Sequence, residues 1–244
     1  MSTIHYFANR FSPSRPLLTR SIIVLLALGG FAGIDANAPT CRHAFVAGTD
    51  SHIRLKNYMG SIEVRSGEKD RIVVTADVSD DCIRADKKGN MIEIAAVKEK
   101  GIRPINFVVS IPASCAVTLE GYKCKITVHD VQGDLEVSTH EGDIDLYKIH
   151  SDSVKVNSIN GRIMFDGDIL ANGLYTFDSL NNIDLFLPKD ASFDVLATSD
   201  HDHIDLGGFG LVDSGSGKRI AGRHGNGGAK MKVTSEGTIH FHRR

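Results

Sequence analysis

The spacing of short apolar–polar–apolar triplets leaves this chain very few folds. Val117-Thr-Leu119, Ile126-Thr-Val128, Leu135-Glu-Val137, Ile144-Asp-Leu146, Val154-Lys-Val156 and Ile163-Met-Phe165 follow one another at intervals of nine or ten residues. Alternation with period two, bounded by Gly, Asn, Asp and Ser, marks half-buried strands. Two strands take about 19 residues, near the coil length of a β-solenoid. Related triplets precede the run at Ile62, Ile72 and Ile92 and follow it at Ile183, Phe193, Ile204, Met231 and Ile239. The expected fold is all-β: a β-solenoid of short stacked strands, with about 19–21 residues per two-strand coil. One coil cannot bury its apolar face alone, so stacking at about 4.8 Å per rung makes the core.

Two residues before the triplets stand Gly60, Gly133, Gly142, Gly161, Asn181, Asp202 and Gly237. These types tolerate the left-handed backbone of a tight corner, which accounts for them without a ligand. Residues 39–110 repeat less regularly and include the charged stretch Lys98–Arg103. They are expected to cap the open end of the stack, where bare sheet edges would otherwise pair with other chains.

The first 38 residues read as a signal peptide. Arg10, Arg15 and Arg20 precede a nearly uncharged run, Ser21–Ile34, too short to span a membrane easily. Cleavage is expected near Ala36 or Ala38, with Pro39 disfavouring a cut directly before it. This predicts export to the periplasm or cell surface, a single domain over 39–244, and no integral membrane span once the segment is removed. The net charge of −2 gives no reason to expect nucleic acid. Four cysteines, Cys41, Cys82, Cys115 and Cys124, form no CxxC pair. In an oxidising compartment they are disulfide candidates, the alternative being buried free thiols. Cys115 and Cys124 occupy equivalent corners of successive strands, which argues against a bridge between those two.

The segments "SHIRLKNYMGSIEVRSGEKDRIVVTADV" (51–78), "FVVSIPASCAVTLEGYKCKITV" (107–128), "NSINGRIMF" (157–165), "NNIDLFLPKDASFDVLATSDHDHIDL" (181–206) and "VTSEGTIHF" (233–241) resemble the adhesin-like β-strand-repeat family of bacterial exported proteins, a domain of unknown function. The likeness covers nearly the whole chain after the signal segment. It implies the stacked-strand fold and, less specifically, a role at the cell surface. Cys124, in a usual Gly place, and His201 and His203 depart from the pattern.

Candidate sites are few. Asp145, Asp184 and Asp205 are each central in an Ile-Asp-Leu triplet and are expected on the outer face. Asp184 and Asp205 would be neighbours on adjacent rungs, where two carboxylates are solvated or, less simply, bridged in a cation ladder. Calcium wants six to eight oxygens, and the nonapeptide of calcium-binding rolls is absent. His129, His140 and His150 recur at strand spacing, and His201/His203 and His240/His242 are i, i+2 pairs able to share a face. Ser199, Asp200 and His201 adjoin, which is no evidence for a catalytic triad. The Gly-rich segment 207–228 reads as a surface hairpin or loop. Its Lys218, Arg219 and Arg223 are the expected contact for an anionic partner.

Together these features predict a non-catalytic structural or binding module of the cell envelope, with no cofactor and an envelope protein or polysaccharide as partner. A carbohydrate-active enzyme acting on an acidic polysaccharide and an envelope-stress or signalling partner are the alternatives.

Overall fold

The computed structural model describes residues 39–48, 50–97, 103–200, 203–211 and 218–244. The expected signal segment lies outside them. Among the described residues the protein is all-β, its strands joined in one mixed sheet of eighteen, with a single 3-10 turn at Asp80–Cys82. In chain order the strands begin with β1 (Cys41–Val46), β2 (His52–Ser66), β3 (Arg71–Ala76), β4 (Ile83–Lys88), β5 (Met91–Ala96) and β6 (Ile105–Ile111). The regular middle holds β7 (Ala116–His129), β8 (Leu135–Glu141), β9 (Ile144–Ile149), β10 (Ser153–Asn160), β11 (Ile163–Gly167), β12 (Leu174–Ser179) and β13 (Ile183–Leu187). The chain closes with β14 (Phe193–Ser199), β15 (Ile204–Asp205), β16 (Arg219–His224), β17 (Ala229–Ser235) and β18 (Ile239–Arg243).

The triplet spacing becomes register. Val117 pairs in parallel with Leu135, Leu135 with Val154, and Val154 with Tyr175, making one ladder through β7, β8, β10 and β12. Ile126, Ile144, Ile163 and Ile183 align likewise through β7, β9, β11 and β13 in a second ladder. β2 and β7 are long enough to give one half to each ladder. The inward residues of the two ladders pack on one another: the Phe165 ring on one lies 5.1 Å from Phe177 on the other. Toward the C-terminal rungs Phe193, Phe209 and Phe241 take over the core from Ile and Val.

Chain order and rung order part company at both ends. β17 lies between β12 and β14, and β18 between β13 and β15, so the last rung in sequence is not the last in space. β2 lies between β7 and the pair β5 and β6. The outermost partners are antiparallel: β4 on β5, β3 on β6, β1 on β3, and β16 on β14. Capping by residues 39–110 is thus performed by β1, β3 and β4, while β2 is an interior rung. The Gly-rich segment, expected as a surface hairpin or loop, contributes β16 to cover the β14 edge. A two-residue strand, β15, blunts the other edge.

Two features hold the corners. Gly142 has φ +134, as a left-handed corner requires. Gly161, one rung on, does not have a positive φ; it must be glycine because a Cβ there would run into the Gly142 carbonyl. Inside the same corners runs a column of buried hydroxyls. Thr139, Ser158, Ser179, Ser235 and Ser199 align rung by rung. Each donates to a neighbouring corner carbonyl: Thr139 to Cys124, Ser158 to Gly142, Ser179 to Gly161, Ser235 to Asn181 and Ser199 to Gly237. A buried carbonyl left unpaired costs about 1–3 kcal/mol, so the column stabilises turns that the sheet ladder cannot reach.

Candidate functional site

The outer face of the second ladder carries two columns of side chains. The first runs Thr127, Asp145, Met164, Asp184, His240 and Asp205. Asp145 occupies an outward strand position but is only 3% exposed. Arg162 Nη2 reaches it at 2.9 Å and Lys125 Nζ at 3.3 Å, and their stems cover it. The expected solvated carboxylate is therefore a covered ion pair. Asp184 and Asp205 are not on adjacent rungs, because insertion of β18 places His240 between them. His242 Nε2 lies 3.0 Å from Asp184, and His240 Nδ1 is 3.8 Å from Asp205. The separation a cation ladder needs is thereby filled by imidazole. The Gly207 amide, foremost, holds the Asp205 carboxyl below the usual carboxylate range.

The second column holds aromatic rings. His129 stacks on Tyr147 at 4.9 Å and 10°, and Phe186 stacks on His242 at 4.3 Å and 12°. Between these two stacks stands the rung of Asp166, which offers no ring. A β-bulge places Tyr147 and Lys148 against Asp166, with Lys148 at φ +52. Bulges of this kind re-aim a side chain. The outcome is an open groove of about 530 Å³, floored by Met164 and Asp166 and flanked by Tyr147 and Phe186. Arg162, Asp184, His242 and Arg244 complete its lining. Arg244 Nε lies 3.3 Å from Asp166 and its Nη2 2.6 Å from Asp168. Asp166 Oδ1 nevertheless lacks a hydrogen bond, since Arg244 Nε lies near it but off the line of one.

Other sequence candidates are scattered. His140 stacks on Tyr122 at 4.8 Å, and His150 Nδ1 lies 2.9 Å from Asp168. The His203 carbonyl accepts the Ile239 amide, while His201 lies outside the described residues. The Ser199 hydroxyl is buried and committed to the Gly237 carbonyl, a structural task. Lys218 Nζ donates to the Asp200 carbonyl. Arg223 Nε lies 2.6 Å from Asp194, which Lys230 also holds at 2.7 Å. Arg223 and Lys230 keep the Asp194 carboxyl well below the usual range. Arg223 is thus engaged within the protein. All four cysteines are free and buried, and burial pushes the Cys115 and Cys124 thiols up to about 11. Sequence reading did not single out Tyr147, Phe186, Arg162 or Arg244. The signal was there as aromatic residues in outward positions, Tyr147 beside an Ile-Asp-Leu unit and Phe186 after another.

No protein-family model matches the chain, and no curated protein matches it. Among solved structures, a proposed cell adhesion protein of Clostridium sporogenes covers 84% of this chain and is itself covered in full, at 12% identity and a TM-score of 0.53. A proposed adhesin of Bacteroides fragilis covers 86% of this chain and is covered in full, at 12% identity and a TM-score of 0.42. The Clostridium sporogenes protein shares the fold of this chain, in keeping with the resemblance read from the sequence. Among the described residues, no helix is long and apolar enough to cross a membrane.

Proposed function

We propose that the chain is a non-catalytic binding module of the bacterial cell envelope, exported by its N-terminal segment and built as a β-solenoid. Its groove takes one sugar ring of an envelope polysaccharide between Tyr147 and Phe186. The supporting observation is the ring pattern: each of these rings has one face covered by a histidine and the other turned toward the ring-free rung of Asp166. Two rungs separate them by about 9.6 Å, which is about twice an ordinary ring-stacking distance and so admits one further ring. The rim supplies guanidinium and carboxylate groups for hydroxyls or an acidic substituent. Their ion pairs fix them in advance, which lowers the cost of ordering on binding. Carboxylates already committed to Lys125, Arg162, His242 and Arg244 suit holding hydroxyls better than delivering a proton.

The test is affinity for solubilised envelope polysaccharides. Tyr147→Ala and Phe186→Ala should each weaken binding at least tenfold, and Tyr122→Ala, away from the groove, should not. Unchanged affinity in both groove variants, or capture of a partner protein and of no glycan, overturns the sugar reading. Release of new reducing ends by the wild-type protein overturns the non-catalytic one.

A further inference from the structure

A second cluster lies apart from the groove, where β1 covers the edge of the sheet. Cys41 and His43 are i and i+2 on β1 and so project from the same face. Asp80 opens the 3-10 turn beyond β3, the strand with which β1 pairs. The Cys41 thiol, a ring nitrogen of His43 and a carboxylate oxygen of Asp80 all lie within 4.8 Å of one another. His43 Nε2 is 2.8 Å from Asp80 Oδ1 yet off the line of a hydrogen bond, and it is a buried nitrogen with no hydrogen-bond partner. A ring nitrogen without a hydrogen bond, a carboxylate oxygen and a thiol within reach of one another are a set of candidate metal donors.

We infer that Cys41, His43 and Asp80 form a binding site for a zinc-type divalent metal ion. Thiolate, imidazole and one carboxylate suit zinc, whereas calcium and magnesium ask for oxygen ligands alone. Zinc bonds of about 2.0–2.3 Å place tetrahedral ligands roughly 3.3–3.8 Å apart, so closure needs rotamer adjustments of about an ångström. A thiolate and a carboxylate neutralise the ion. Burial, and then the Asp80 charge, raises the Cys41 thiol in the metal-free protein, so binding must expel its proton. Exposure is graded: Cys41 is buried, His43 is one-quarter exposed and Asp80 three-quarters exposed, leaving an entry path on the Asp80 side. The metal would tie the edge strand β1 to the turn that follows β3, fastening the cap of the sheet.

Cobalt(II) titration of the reduced full-length protein tests this. A single equivalent should give the thiolate-to-cobalt charge-transfer band, and zinc should displace it. Cys41→Ser should abolish the band, while His43→Gln and Asp80→Asn should weaken affinity at least tenfold. Urea unfolding without metal should show each variant still folded, and zinc should raise the midpoint of the wild type, less so that of His43→Gln and Asp80→Asn, and not that of Cys41→Ser. Absence of the band in the wild type, its persistence in Cys41→Ser, or a Cys41–Cys82 disulfide with no metal in protein isolated without reductant each overturns the site.

Discussion

Ser179 on β12 donates its hydroxyl to the carbonyl of Gly161 at 2.8 Å, tying one rung to the corner of the rung before it. Both residues are buried, so the hydroxyl serves as the partner of this carbonyl in a setting without water. Ser179→Ala should therefore destabilise the protein by about 1–3 kcal/mol, the cost of an unpaired buried acceptor. Urea denaturation reads this as a lower midpoint with an unchanged slope, and glycan binding should be intact.

Gly161 and Gly89 make a contrasting pair. A Cβ at Gly161 meets backbone that cannot yield, whereas Gly89 has φ +60 but open space around it. Gly161→Ala should abolish soluble expression or cost several kcal/mol, while Gly89→Ala should cost only about 1–2 kcal/mol of backbone strain. Thermal unfolding of the two variants side by side checks the ranking.

Asp145 lies beneath Lys125 and Arg162, both substantially exposed. Exposed partners are screened by water, so Asp145→Asn should cost only about 1 kcal/mol. The same change frees Arg162 at the groove rim and should shift glycan affinity more than it shifts stability. Equal effects on both would remove the link between this pair and the groove.

His52 and His129 are pushed below the ordinary histidine value by burial first and by Arg54 and Arg65 respectively. The unfolded chain then binds protons that the folded chain refuses. Their contribution is fully present above about pH 6.5 and declines as pH falls from there toward the folded values. The urea midpoint should drop between pH 7.5 and 5.5, and His52→Gln with His129→Gln should flatten that drop. An unaltered profile in the double variant would count against this assignment.

The strands were legible because burial imposes period two on every rung. The triplets from Val117 to Phe165 land on β7 to β11 with their apolar members inward. Corner glycines were legible too, although steric approach explains Gly161 better than left-handed backbone does. Rung order was not, since nothing local in "AKMKVTS" tells β17 to choose β12 and β14 as neighbours. That choice separates Asp184 from Asp205. The groove was hidden for a related reason: Tyr147, Asp166 and Phe186 meet only through inter-rung register and a bulge. Likewise Cys41 and His43 stand far from Asp80 in sequence, and only the antiparallel cap unites them.

Since β17 and β18 slot into a place already flanked on both sides, removing the final strands would split the stack rather than shorten it. During synthesis, β14 and β15 wait with one edge unpaired until β17 and β18 leave the ribosome. β2, made early, likewise waits between strands not yet translated. Chains that stop short of β17 and β18 would thus carry open, adhesive sheet edges, and the arrival of those two strands is the step that seals them.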